Sequence, residues 1–471
     1  MAAKPIFIGG TGSHAGKSWV ATALCRYLYR LGHRVAPFKA QNMSNNSMVC
    51  ADGGEIGRAQ VAQAEACGLA PVTDMNPILL KPAGGFGSQV VLNGRPWKNL
   101  KAAEYYEHFE FFLKHVLDAY ARLAASYDYI VIEGAGSVTE LNLKHRDLVN
   151  LGLARRLNAP SMLVADIDRG GVFASVIGTF HLLEPEEAAL VRSFLVNRFR
   201  GDRSLFQDGV RILEEKTHRP CLGVFPFAED IYLDAEDSVS LENAPGSVKT
   251  GIRAAIIRLP HISNFTDFRL LPDAVYLSHP SNERFDVIFL PGTKNTIDDM
   301  LWLRDKGFEG WLGAQVEKGT RLVGIGGGFQ MLGEQITDPD GVESSAGSVR
   351  GLGLLPVETR LARDKTTRAV QARTPSGIEF QAYEIHMGVT TVKDRQPPFA
   401  VVDGGGAEGV RAARVTGTYL HGALENKAVL EELLETKLPD VPVQSKDSQY
   451  DRLAEWFAEH VNQEVFRKEY L

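Results

Sequence analysis

The sequence predicts an α/β protein: a doubly wound parallel sheet entered through a phosphate loop, followed by a second α/β domain. Three observations carry that prediction. Short apolar runs alternate with helical patterns along most of the chain. A glycine-rich segment, GGTGSHAGKSW, stands between the first apolar run and the first helical pattern. A polar stretch, LDAEDSVSLENAPGSVKTG, contains Pro and Gly and has no clear period, and beyond it the rhythm starts again.

The elements follow in order. PIFIGG, RVAPFKA, YIVIEGAG, SMLVADI and SFLVNRF read as parallel strands, because strands covered on both faces show continuous apolar runs. SWVATALCRYLYRL and KAAEYYEHFEFFLKHVLDAYARL read as helices between them. This sets a first domain at residues 1–235 and a linker at 236–250. IRAAIIRLP, DVIFLPG, RLVGIGG and VTGTYLHG supply the strands of a second domain at 251–435. Residues 436–471 form a tail, in which AEWFAEHVNQEVFRKEYL reads as a terminal amphipathic helix.

Composition narrows the function classes. A chain of 471 residues exceeds one ordinary core. Net charge is −7, which argues against a nucleic-acid partner. Cys25, Cys50, Cys67 and Cys221 form no CxxC pair and no metal spacing, so free thiols in a reducing compartment are expected. The apolar run in MAAKPIFIGGTGS ends at Gly9, too early for a signal peptide. No stretch approaches the roughly 20 apolar residues of a membrane span. The expectation is a cytoplasmic protein with no membrane partner.

The glycine-rich segment carries the first site. Five residues separate Gly10 from Gly16, one more than in the usual phosphate loop. The working parts are present. Backbone N–H groups of Gly10, Thr11, Gly12, Ser13 and Gly16 can hold phosphate oxygens. Lys17 can reach the outer phosphates of ATP, and Ser18 can ligate Mg²⁺. Glu133, at the C-terminal end of YIVIE, is a second candidate ligand for the metal, the plainer alternative being a solvated carboxylate. SMLVADIDRGG ends with Asp166, Asp168 and Arg169, placed for phosphate or substrate. Asn197, after SFLV, is placed to read an adenine edge. Helix capping and surface charge are the competing explanations for these last residues.

The second site is a turn that lacks its side chain. GIGGGFQML, Gly324 to Leu332, joins an apolar strand to a helical pattern through small residues. That is the form of a nucleophile elbow, which lifts one side chain above a sheet. The residue to be lifted is Gly326.

GTGSHAGKS, FKAQNMSNNS, DGGEIGRAQ, EGAGS, ADIDRGGVFAS and NRFRGD resemble cobyric acid synthase of vitamin B12 biosynthesis. RLPHISNFTDF, LPGTKNTIDDM, YEIHMG and GTYLHG extend the resemblance over nearly the whole chain. The resemblance implies a dethiobiotin-synthetase-like domain that activates carboxylates with ATP. It implies a class I glutamine amidotransferase domain, flavodoxin-like, that releases ammonia from glutamine. The implied reaction amidates the b, d, e and g side chains of adenosylcobyrinic acid a,c-diamide to give adenosylcobyric acid. Asp52 or Glu55 would complete the metal shell, Lys39 would face phosphate or substrate carboxylate, and Asp147 would stand near the acceptor. Arg58, Arg146 and Arg169 are candidates for the corrinoid's negative arms.

In the amidotransferase half, His421 matches the base that activates a Cys thiolate. The usual Glu two residues on is Ala423. PGTK resembles the oxyanion loop, with Gly292 and Gly327 offering backbone N–H groups. The family turn reads G-I-C-G-G, and here Gly326 stands in place of the cysteine. The implied consequence is an elbow without its nucleophile, in an ammonia-only synthase or an engineered inactive-glutaminase variant. Two other classes compete: a ParA/MinD-like ATPase, whose signature Lys is missing from the loop, and a binding module with a dead amidotransferase half.

Overall fold

The structure is a computed structural model, and it describes residues 3–82, 87–234, 249–439 and 445–471. A six-stranded sheet organises the first part of the chain: β1 (Lys4–Gly10), β2 (Val35–Phe38), β3 (Tyr129–Glu133), β4 (Ser161–Asp166), β5 (Val191–Phe199) and β6 (Cys221–Pro226). Every pairing is parallel, in the order β6-β5-β4-β1-β3-β2. Ile6, Phe7, Ile8, Ile130, Val131 and Ile132 are fully buried, as a sheet covered on both faces requires. β1 is central, and the chain leaves its C-terminal end into α1 (Lys17–Arg30). Ligand sites of such sheets lie there.

A second six-stranded sheet runs β8-β7-β9-β10-β12-β11. Its strands are β7 (Ala254–Ile257), β8 (Val275–Leu277), β9 (Val287–Leu290), β10 (Arg321–Ile325), β11 (Val410–Ala412) and β12 (Val415–Thr418). All pairings are parallel except β11 with β12 at the edge. β10 again lies centrally and ends in the glycine turn before α3 (Gly327–Leu332).

Several elements depart from the sequence reading. The long helix expected over KAAEYYEHFEFFLKHVLDAYARL is two helices, Ala102–Glu107 and Phe109–Ala124, joined at His108. Trp97 packs on His108, Phe111 and Phe112 at that joint. The terminal helix is also two, α4 (Lys446–His460) and α5 (Gln463–Tyr470), with Asn462 capping the second. These helices return to the first sheet: Phe457 and Phe466 pack on Tyr27 of α1. β6, a small sheet (Gln41–Met43, Ile78–Pro82, Ser88–Leu92, Arg95–Leu100) and a long hairpin (Val357–Arg373 with Glu379–Val392) are further elements that the apolar runs do not mark. Most of the expected linker, residues 236–248, lies outside the described residues.

The hairpin ties the two sheets together. Lys365 reaches across to Glu55, which also holds Lys81 at 2.5 Å. Burial alone would raise the Glu55 carboxyl, but Lys365 and Lys81 hold it down at about 2. Burial pushes the Lys81 ammonium down to about 7 against the pull of Glu55. Arg58, 1% exposed, spans the same junction between Asp234 (3.1 Å) and Glu425 (2.9 Å). Tyr383 donates from its hydroxyl to the Ser47 carbonyl at 3.3 Å.

Candidate active sites

The phosphate loop folds around its own lysine. Gly16 sits at φ 98°, ψ 22°, at the N-terminus of α1. A Cβ there would lie 2.1 Å from Asn197 Nδ2, so only glycine fits. Lys17 Nζ donates to the carbonyls of Gly12 (3.0 Å) and Gly136 (2.8 Å). Ser18 Oγ donates to Glu133 Oε1 at 2.8 Å. Lys39 Nζ meets the same oxygen at 2.8 Å, and Gln63 Nε2 donates to Glu133 Oε2 at 2.5 Å. Glu133 is 1% exposed, so its charge relies on these partners. Gln63 was not among the residues expected from sequence. It lies on α2 (Arg58–Ala66), and nothing local marks it.

Ser13, Gly16, Lys17, Ser18, Lys39 and Glu133 line one cavity of about 700 Å³. Gly10, Thr11 and Gly12 stand behind it, and the Thr11 N–H is spent on the Val164 carbonyl at 3.0 Å. Ser18 and Glu133 form a hard oxygen pair at the phosphate end. That donor set fits Mg²⁺, which keeps several waters and takes few protein ligands beside phosphate. No group of three or more His, Cys, Asp or Glu side chains suits a metal among the described residues.

Other expected residues lie elsewhere. Asp52 accepts from the Thr73 N–H (2.9 Å) and hydroxyl (2.7 Å), on an exposed turn. Glu55 is held by Lys81 and Lys365 at the domain junction. Neither belongs to the cavity wall, because other partners claim both carboxylates. Asn197 lies beneath the phosphate loop, donating to the Ala15 carbonyl at 3.0 Å, so it pins the loop rather than facing a base. Asp147 lines the cavity but accepts from the N–H groups of Val149 (2.9 Å), Asn150 (2.7 Å) and Gly152 (2.8 Å). Those bonds order the turn before the helix Leu151–Arg156 and satisfy the Gly152 N–H in its first turn, a structural role that competes with the expected one. Asp168 is paired with Arg200 at 2.7 Å, and both it and Arg169 are exposed outside the cavity wall. Arg58 is consumed at the junction, whereas Arg146 stands in the cavity wall.

The second turn has the shape of an elbow. Gly326 holds φ 56°, ψ −116°, a conformation that strains any residue with a side chain. A Cβ built there would lie 3.1 Å from His421 Nε2 and 3.7 Å from the Gly292 Cα. At Gly327 it would lie 2.5 Å from Thr293, and at Gly328 2.0 Å from the Leu290 carbonyl. Gly326 is thus the one residue of this glycine triplet with near-room for a side chain, and that side chain would meet His421.

His421 is fixed from behind. Its Nδ1 lies 2.8 Å from Asp267 Oδ2, and Asp267 Oδ1 accepts from the Gly422 N–H at 2.7 Å. Tyr383 stacks on the imidazole at 5.4 Å between centroids and 24° between planes. Asp267 thus supplies a carboxylate to the imidazole, where residue 423 is Ala and offers none. Sequence reasoning missed it, because it lies 154 residues from its partner. Gly292 flanks the turn on one side and Gly327 begins α3 on the other, where the expected oxyanion donors belong.

The comparisons with known proteins agree in extent. Residues 6–241 match the CobQ/CobB/MinD/ParA nucleotide binding domain. Residues 253–429 match the CobB/CobQ-like glutamine amidotransferase domain. A cobyric acid synthase of Parabacteroides distasonis is 45% identical, covering 98% of this chain and 97% of the relative. One from Moorella thermoacetica is 45% identical over 92% of this chain and 88% of the relative. One from Syntrophobacter fumaroxidans is 43% identical over 99% and 98%.

Proposed function

The chain belongs to the cobyric acid synthase family, and we propose that it amidates the b, d, e and g carboxylates of adenosylcobyrinic acid a,c-diamide with ammonia as nitrogen donor. It is an ATP-dependent amide ligase of cobalamin biosynthesis, with a nucleotide-binding domain and an amidotransferase domain. The product is adenosylcobyric acid. Four free, buried cysteines suit the reducing cytoplasm.

A carboxylate resists ammonia because its leaving group would be an oxide. Attack of a carboxylate oxygen on the γ-phosphorus of ATP forms an acyl phosphate and releases ADP. Ammonia then adds to the acyl carbon, phosphate leaves with the bonding pair, and the nitrogen loses a proton. The chain's part is position and charge. Lys17 would take up the charge of the transferred phosphoryl group. Lys39 neutralises Glu133 at rest and is placed to face the acceptor carboxylate. Ser18 and Glu133 would hold Mg²⁺, which when bound neutralises the phosphates.

The observation that carries this reading is the convergence of Lys17, Ser18, Lys39 and Glu133 in one cavity. In the amidotransferase half, the thioester route needs a thiol at residue 326. On this reading glutamine is not cleaved, although His421, Gly292 and Gly327 are retained. The test is to supply ATP, Mg²⁺ and the corrinoid with either ammonium or glutamine, and to follow amides by mass spectrometry. Amides with ammonium and none with glutamine are expected. Glutamate release matching amide formation would overturn the dead-elbow reading.

A further inference from the structure

We propose that the mouth of the phosphate-loop cavity is an orientation-tolerant platform for the corrin ring, with Met43, Leu141, Leu143 and Leu182 meeting its apolar face and Arg146 anchoring its free carboxylates. This rests on the corrinoid amidation proposed above. Met43 is 58% exposed, Leu141 50%, Leu143 37% and Leu182 45%. All four line the cavity that holds Lys17 and Glu133. They come from three separate segments: the strand Gln41–Met43, the turn Leu141–Arg146 and the helix Val172–Leu182. A single exposed leucine means nothing, but large apolar side chains gathered around one opening mark a binding surface.

The charges at the mouth point to an anionic ligand. Lys144 is spent on Glu187 (2.8 Å) and Glu184 (3.4 Å). Asp147 is spent on backbone N–H groups. Glu140 stands at the far end of the same turn from Arg146. Arg146 rests its guanidinium over the Tyr106 ring at 5.9 Å, is exposed, and forms no ion pair among the described residues. It is a cation set in an apolar rim.

A ring whose arms must visit one catalytic cavity in turn has to dock in several rotations. Hydrogen bonds cut to one arm would serve one rotation and obstruct the others. Apolar contact is non-directional, and one guanidinium can take whichever carboxylate is near. Each amidation removes a negative charge from the ring, so attraction to Arg146 weakens along the series and favours release of the finished product.

The test measures binding of two probes to the full chain by equilibrium dialysis: the a,c-diamide substrate and cobyric acid, whose b, d, e and g arms are amidated and which keeps one free carboxylate. Arg146→Ala should weaken the a,c-diamide by about 10-fold and cobyric acid distinctly less. Leu141→Ser with Leu143→Ser should weaken both probes alike, by about 10-fold. ATP affinity should stay unchanged in each variant, which shows that the loop still folds. Unchanged affinity for both corrinoids in both variants, or equal losses for both probes in Arg146→Ala, would overturn the platform. Failure of the unaltered chain to bind either corrinoid would instead sink the proposed reaction.

Discussion

The two glycine turns of this molecule invite comparison. Each follows a central parallel strand, β1 or β10, and opens into a helix at the C-terminal edge of its sheet. The first keeps its chemistry in side chains just past the last glycine: Lys17, on Gly12 and Gly136, and Ser18, on Glu133. The second, on the proposed reading, lacks the reacting atom. His421 is aimed by Asp267 and backed by Tyr383, and it faces a glycine. Geometry at the second turn therefore does not depend on the nucleophile. Its frame is built by residues from other elements, and it persists when the thiol is absent. At the first turn the reactive side chains are part of the frame, since Lys17 ties the loop to Gly136.

The sharpest way to break the comparison is Lys17→Ala. Activation by ATP precedes attack by any nitrogen donor, so amidation with ammonium and with glutamine should both disappear. A fall of at least about 10³-fold is expected, the scale of a lost charge clamp on a transferring phosphoryl group. Steady-state amide formation checks it, and near-normal turnover would remove the loop from the reaction. Glu133→Gln should be the next largest. Gln keeps the shape but loses the charge that Lys39 and Ser18 serve. A fall in kcat of about 10²-fold with little change in corrinoid KM is expected. A raised KM with kcat intact would place Glu133 in substrate binding instead.

The second turn should respond by gain. Gly326→Cys puts a thiol beside His421 Nε2, and glutamine should then support amidation. His421→Ala in that background should lower glutamine use by about 10²–10⁴-fold, as for a lost general base, and spare ammonium use. Asp267→Asn should lower glutamine use less, because it acts through the imidazole. Ammonium-dependent turnover in the unaltered chain should rise with pH while the fold persists, since only neutral ammonia attacks. The five variants, assayed with both donors, separate the two halves of the molecule.

The turns differ equally in how far the sequence reveals them. Strand, loop and helix are consecutive at both, so the phosphate loop, its Lys17 and Ser18, and the elbow at Gly326 can be read directly from neighbouring residues. What supports them cannot. Asp267 meets His421 across 154 residues. Gln63 meets Glu133 across 70. Asn197 reads from sequence as a residue beyond a strand end, placed for a base, yet it lies inside β5 and donates to the Ala15 carbonyl of the loop. Asp52 and Glu55 sit in an acidic motif that suits a metal, but their partners Thr73, Lys81 and Lys365 come from other segments. The long hairpin escapes because Val357–Arg373 is mostly polar and half in water, without the apolar run of a buried strand.

The smallest expected effect, that of Gly326→Ala, sharpens the comparison most when it is set against Gly16→Ala. Gly16→Ala and Gly326→Ala each add one methyl group at positive φ. At Gly16 the Cβ would enter the Asn197 amide at 2.1 Å, so Asn197 must leave the Ala15 carbonyl and the loop must shift. At Gly326 the nearest atom is His421 Nε2 at 3.1 Å, a contact relieved by a few tenths of an ångström. The remaining cost is backbone strain at φ 56°, ψ −116°, on the order of 1–3 kcal/mol. For a domain of this size that is a fall in Tm of about 2–4 °C per kcal/mol. Gly16→Ala should cost more than this and abolish ATP binding, measured by calorimetry. Gly326→Ala should leave ATP binding and ammonium-dependent amidation intact. Equal thermal losses in the two variants would mean that residue 326 is an ordinary tight turn with no space kept for a side chain.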